Sequence, residues 1–405
     1  MGLGHNARVF WVVRLLCILF VAVMAGCATA PRADYARSPA DPVVESPTPV
    51  LSETVVSAEA ILAPPPEHAP ITPAIPVPAA PPVTNPPPVV TRNMPPVAVP
   101  IVEAWVPLAK WCGAKGLIGL TRQTGTPHPT YQIQLPQGLL VLHVGSLHAT
   151  FNGVQIRLGF APQMIGGQPF VHSLDLAKTV EPLQHLSDIP AGFGGAVILL
   201  DPGHGGPDAG AASVLRGHSE KDFALDWALR LRSLLVAQGW QVHLTRTNDV
   251  EVPVAVRAQM AESLRASLFV SLHLNSAGVN RTESGVETYC LTPARMPSSL
   301  TRGYPDDLRA SFPNNLFDAQ NLQLAVRVHR ALTSIPGTTD RGVRRARFLG
   351  VLRPQQRPAI LVEGGYLSQP AEARLIATTA HRQKLAEAVA RGIGTPRQQI
   401  AEIPH

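Results

Sequence analysis

The chain has 405 residues, a length that fits two or three domains, with 45% hydrophobic and 15% charged residues. Four cysteines exclude a disulfide-rich scaffold, and the composition matches neither a wholly disordered chain nor a multi-span membrane protein. The net charge of +6 comes mostly from arginine, 29 Arg against 5 Lys, with no dense basic run and interleaved aromatics, so nucleic acid is not an expected partner.

At the N-terminus, Arg8 and Arg14 precede an apolar run from Leu15 to Met24. Ten such residues rise about 15 Å as a helix, half the hydrocarbon thickness, which favours a cleaved secretory signal over a retained anchor. Met24-Ala25-Gly26-Cys27 resembles a bacterial lipobox, with Met where Leu is usual. The resemblance implies a signal peptide over 1–26, acyl chains on Cys27 and a lipid anchor to a membrane without a span. Ala28 in place of Asp implies, by resemblance to Gram-negative lipoproteins, the outer membrane facing the periplasm. Residues 27–100 follow as a Pro-rich linker. Twenty of the 41 prolines lie in 31–100, and no Gly occurs between Gly26 and Gly113. Pro fixes φ and removes a backbone donor, so this stretch is expected to be disordered and extended. At about 3.1 Å per residue it reaches on the order of 200 Å.

Residues 101–190 read as a small β-rich accessory domain of four to six short strands and one or two short helices. Tyr131–Leu135, Leu139–Val144 and Val154–Leu158 are strand-like runs, and Asn152-Gly153 is a hairpin signal. The runs from Trp105 to Leu120 and from Phe160 to Leu174 resemble the small N-terminal domain of copper amine oxidases, an accessory module of bacterial cell-wall proteins. The resemblance implies a spacer or a wall-binding role. His128, His143, His148 and His172 lack metal spacing and are expected to be structural. Export leaves a bridge between Cys112 and Cys290 open, with two separate buried thiols the favoured reading.

From residue 195 to 395 strand and helix alternate, which predicts an α/β domain with a twisted, mostly parallel sheet flanked by helices. Strands are expected at Ala196–Leu200, Gln241–Thr245, Leu268–Leu272, Gly285–Leu291, Phe348–Leu352 and Ala359–Val362. Helices are expected at Ser219–Gln238, with Ser219 as N-cap, and at Pro253–Ala266, Ala319–Leu332 and Pro370–Gly392.

Polar residues of metal- or proton-handling type fall at the carboxyl ends of buried strands, where open α/β sheets bind ligands. His204 follows the first strand in Asp201-Pro202-Gly203-His204-Gly205-Gly206, His273 ends another, and Glu363 follows the last. Glu220 adds a carboxylate in the first helical turn, 16 residues after His204. Two His and one carboxylate form a hydrolytic zinc set, and a further Glu can take a proton from water. Each residue alone has a plain structural reading; their convergence does not. Asp208 and His218 are near enough to compete as ligands, and His218 is an alternative to Glu220.

The run Leu199–Ala211, Glu220-Lys221-Asp222, Ser271–Ser276 and Pro358–Ser368 resemble, in order, four motifs of the zinc-dependent N-acetylmuramoyl-L-alanine amidases. The resemblance implies that His204, Glu220 and His273 hold one Zn²⁺ and that Glu363 is the catalytic carboxylate. The implied activity is hydrolysis of the amide between N-acetylmuramic acid and L-alanine in peptidoglycan. Alternatives are another zinc hydrolase, such as a peptidase, or a non-catalytic peptidoglycan-binding lipoprotein. Six arginines between Arg341 and Arg357 are candidates to meet stem-peptide carboxylates, Arg353 first, against the plain reading of a solvated strand and loop. Some family members insert a helix whose Glu plugs the zinc until an activator moves it. Here no Glu occurs between Glu287 and Glu363, although Asp306 or Asp307 could take that place. An enzyme that requires no protein activator is therefore expected.

Overall fold

The computed structural model describes residues 104–396 apart from 125, 127, 187–195 and 302–304, so the expected signal, Cys27 and the Pro-rich linker lie outside the described residues. No helix among the described residues is long and apolar enough to cross a membrane.

The β-rich segment begins with β1 (Trp105–Pro107) and α1 (Leu108–Ala114). An antiparallel meander follows through β2 (Thr121–Gln123), β3 (Thr130–Leu135), β4 (Gly138–His143), β5 (His148–Phe151) and β6 (Val154–Arg157). Period-2 alternation drives it: Tyr131, Ile133 and Leu135 of β3 and Leu140 and Leu142 of β4 point into the core. The β5–β6 hairpin turns on Asn152 and Gly153, with φ of 50° and 81°, the left-handed pair that this dipeptide supplies. β7 (Gln163–Ile165) and β8 (Gln168–His172) form a second, three-stranded sheet with β1. The eight strands exceed the expected four to six because β1, β2 and β7 have three residues each, too few to show a period. Helical turns over Ser173–Asp175, Leu176–Val180 and Glu181–Gln184 close the segment.

The second half runs β9 (Val197–Pro202), α2 (Glu220–Ala237), β10 (Gln241–Leu244), α3 (Val254–Ser263), β11 (Leu268–Asn275), β12 (Val286–Cys290), α4 (Asp318–Thr333), β13 (Asp340–Arg345), β14 (Ala359–Tyr366), α5 (Pro370–Ala377) and α6 (Thr379–Ile393). Its strand order is β10-β9-β11-β14-β12-β13. Four of the five pairings are parallel; only β12 against β14 is antiparallel. One sheet face, with Ile198, Val270 and Val362, packs on Trp227 and Leu231 of α2, Val328 of α4 and Val389 of α6. The other, with Leu199, Phe269 and Leu361, packs on Ala261 of α3 and on Val351 and Leu352. Strands buried on both faces read as continuous apolar runs for this reason.

Two expectations are corrected. Phe348–Leu352 is not a strand but a run into turns, whose apolar side chains fill the second cluster; the strand lies at Asp340–Arg345 instead. The helix expected over Pro370–Gly392 is divided at Thr378, whose extended ψ of 135° ends α5 and whose hydroxyl accepts from the His381 N–H to start α6.

The sheet does not stop at β13. Val343 pairs in parallel with Ile156 of β6, so β13 leads directly into β6-β5-β4-β3-β2 and the whole sheet has 11 strands. Asp340 accepts from the Gln155 N–H at 2.9 Å. Arg345, 3% exposed, donates to Thr179 Oγ1 at 2.9 Å and to the Lys178 carbonyl at 2.6 Å. Gln323 of α4 donates to the carbonyls of Pro182 and His185. Residues on both sides of the 190–195 boundary thus complete one sheet. Cys112 and Cys290 are both free and buried.

Candidate metal centre

Three chain segments bring ligand-type side chains together at one end of the sheet. His204 follows β9 in a left-handed conformation, φ 61°, that is uncommon for a residue with a Cβ. Glu220 is the first residue of α2, behind Ser219, whose hydroxyl bonds the Asp222 carboxylate at 2.6 Å rather than a backbone amide. His273 lies near the end of β11. One ligand atom from each of His204, Glu220 and His273 lies within 4.8 Å of the other two.

The trio is tightly organised. Glu220 is 4% exposed; its Oε2 accepts from the Ala211 N–H at 2.8 Å and its Oε1 from the Leu274 N–H at 2.9 Å. The same oxygens face His204 Nε2 at 3.1 Å and His273 Nδ1 at 2.8 Å. On the other side of the His204 ring, Nδ1 meets Asp208 at 2.8 Å, a contact that orients the imidazole and turns Nε2 toward the trio. Burial raises the Glu220 pKa, but the hydrogen bonds from both imidazoles outweigh it and hold the carboxyl well below its usual range. Burial disfavours charge on His204, yet Glu220 and Asp208 together raise its pKa.

These observations fit a divalent cation. His204 faces a carboxylate at each ring nitrogen, and a neutral imidazole has only one N–H, so this ring is either doubly protonated or shares a cation with Glu220. Two glycines leave the room required. A Cβ at Gly203 would lie 2.4–2.7 Å from three atoms of the His273 ring, and one at Gly210 would lie 2.6 Å from both Glu220 Oε2 and His204 Cδ2. The donor set of two nitrogens and one carboxylate oxygen suits zinc chemistry.

Glu363 of β14 is the register partner of His273, one strand away. On its other side it pairs with Glu287 of β12. Glu287, buried at 1% exposure, accepts from Tyr289 at 2.7 Å, Tyr366 at 3.0 Å, Asn275 at 3.1 Å and Arg341 at 2.7 Å. Burial pushes the Glu287 carboxyl up, but Arg344, Tyr289 and Arg341 outweigh it, so its pKa is lowered.

The other candidates have partners of their own. Arg353 donates to the Arg347 carbonyl at 2.6 Å and covers the Phe312 ring at 4.9 Å. His218 stacks on Phe223 and does not enter the trio. Asp306 is paired with Arg347 and the Ser298 N–H, and Asp307 accepts from the Arg309 N–H. Arg345, Arg347 and Arg357 are buried and committed to protein partners.

Beneath the trio lies a support that sequence reasoning missed. Asp201, 1% exposed, accepts from Thr245 and Ser271, each at 2.7 Å, and pairs with Arg257 at 2.7 Å. Arg257 also donates to the carbonyls of Pro202 and His204, while Arg246 donates to those of Gly203 and Lys221. Two guanidinium groups thereby fix the backbone that carries His204. Asp-Pro-Gly reads as a turn, and nothing in a helical pattern marks one Arg as buried.

The fold and site define an open α/β protein with a metal-competent centre at the carboxyl ends of its strands. The family model described as N-acetylmuramoyl-L-alanine amidase (Amidase_3) matches residues 198–395. The chain is 33% identical over 244 residues to the N-acetylmuramoyl-L-alanine amidase AmiC of Escherichia coli O6:H1 strain CFT073, spanning 54% of this chain and 57% of that protein. It is 30% identical over 218 residues to AmiA of Salmonella typhimurium strain LT2, spanning 49% of this chain and 74% of that protein. The solved catalytic domain of CwlV from Bacillus (Paenibacillus) polymyxa var. colistinus is 32% identical, with a TM-score of 0.40 over 49% of this chain and 95% of that one. The chain belongs to the N-acetylmuramoyl-L-alanine amidase family.

Proposed function

We propose that this chain is a zinc-dependent peptidoglycan hydrolase that cleaves the amide between N-acetylmuramic acid and the L-alanine of the stem peptide. The observation that carries the reading is the convergence of His204, Glu220 and His273 with Glu363 one strand from His273. His204 Nε2, Glu220 and His273 Nδ1 would hold Zn²⁺, with Asp208 orienting His204. When bound, the ion supplies a Lewis acid for the scissile carbonyl and lowers the pKa of water toward neutrality. Glu363 accepts the proton of the attacking water and returns it to the amide nitrogen. The C–N bond breaks, leaving a lactyl carboxylate on the glycan and a free amine on L-alanine.

The engagement of Asp306 with Arg347 and of Asp307 with the Arg309 N–H supports a reading in which neither serves as a plug and no protein activator is required. Acylated Cys27 would anchor it to the outer membrane, facing the periplasm. The test is mass spectrometry of digested peptidoglycan with and without a chelator. New L-alanine N-termini are expected, lost on chelation and lost in Glu363→Gln, which keeps its zinc. Cleavage within the stem peptide would instead identify a peptidase, and no cleavage a binding protein.

A further inference from the structure

On the sheet face that carries His273 and Glu363, the row of functional groups continues past the centre. Glu287 follows Glu363 across β12, and Arg341 and Arg344 of β13 lie 2.7 Å and 3.4 Å from its Oε1. Arg344 is the register partner of Tyr289, which shares the face of Glu287 by two-residue alternation. Val343 pairs with Ile156, so the next residue of each parallel strand, Arg344 and Arg157, faces the other way, toward this row. Arg157 in turn pairs with His148 of β5, NH1 to Nε2 at 3.1 Å.

The charges along this lane are unevenly balanced. Arg341 is answered by Glu283 at 2.6 Å as well as by Glu287. Arg344 shares Glu287 with it. Among the described residues Arg157 forms no ion pair, its side-chain partner being His148. Burial lowers the pKa of both Arg157 and His148, and the Arg344 charge lowers each further. Arg157 and His148 therefore stand together, half-buried to exposed, with no acid paired to either among the described residues, beside an Arg344 that shares its one acid, Glu287, with Arg341. A carboxylate placed there relieves the repulsion and takes charge-assisted hydrogen bonds from planar donors.

We infer that Arg344, Arg157 and His148 form the track that receives the free carboxylates of the stem peptide, so that the accessory strands β5 and β6 take part in substrate recognition. The inference rests on the amidase reading. The dimensions agree with it. From β14 to β6 is three strand steps and to β5 four, about 14 and 19 Å. An extended stem of four or five residues spans about 13–18 Å.

The full chain is assayed on soluble muropeptides with free stem carboxylates and on the same compounds with those carboxylates amidated. Arg157→Gln should raise KM about tenfold on the free form, about 1.4 kcal/mol, with kcat and the amidated-substrate KM unchanged. Arg157→Lys should recover most of the loss, and Arg344→Gln should show the same split. Unchanged KM on the free form, or an equal rise on the amidated form, overturns the inference. Wild-type protein that releases no L-alanine N-terminus overturns the amidase reading instead. Equilibrium binding of the two stem peptides then decides the track: a preference for the free form that Arg157→Gln abolishes supports it, and equal affinities refute it.

Discussion

Gly203→Ala tests whether the centre depends on space as much as on ligands. The added Cβ would stand 2.4 Å from His273 Cε1 and 2.6 Å from Nε2, against ordinary contacts of 3.4–4 Å. Gly203 has no left-handed φ, so backbone strain is not the issue; the ring must move by about 1 Å. Metal sites tolerate about 0.2 Å in ligand distance. Disturbing the groups that hold a metal ligand in place costs about 10–100-fold in affinity, and a shift of this size falls at the upper end. Zinc affinity, measured by competition with a chromogenic chelator, should therefore fall about 100-fold, with kcat falling at limiting zinc. Circular dichroism of the metal-free variant should match the wild type, because the disturbed atoms lie at the end of the sheet and outside the apolar clusters. Affinity within threefold of wild type would refute the close Gly203–His273 packing on which the trio's geometry depends.

Arg257→Ala should cost about 3–5 kcal/mol in urea unfolding, since it leaves the buried Asp201 carboxylate without its cation; a loss under about 1 kcal/mol sinks that account. Zinc at 100 times its Kd should stabilise the chelated protein by about 2.7 kcal/mol, visible as a rise in Tm that His273→Ala abolishes. Burial pushes Asp340 up, but His329 and the Gln155 amide outweigh it and leave its pKa lowered. A carboxyl depressed on folding adds stability above its unfolded pKa of about 4 and loses it as the pH falls through the folded value. The urea midpoint should therefore drop more steeply below about pH 5 in wild type than in Asp340→Asn, and parallel profiles would contradict the assignment.

The trio was legible because each of its residues sits beside a strong local signal: a strand end, a helix start, a glycine-rich turn. Strand β13 was not, for a physical reason. Asp340-Arg341-Gly342-Val343-Arg344-Arg345 has no apolar alternation, because its side chains are spent on partners far away in sequence: Glu283, Glu287, Thr179 and His329. The reverse error at Phe348–Leu352 has the same origin. An apolar run signals burial, and here burial is achieved by turns beneath Phe269 and Leu361. Glu287 lay in plain view between Val286 and Thr288, yet only the register with Glu363 reveals its place.

The parallel join between β13 and β6 has a practical corollary for anyone trimming the protein. A fragment begun at residue 196 would leave β13 as the edge of the sheet, its backbone at Val343 stripped of Ile156, an open template for another strand to dock. It would also strip the Arg345 guanidinium of Thr179 and Lys178. Such a fragment is expected to self-associate, and restoring residues 104–186 should keep it monodisperse.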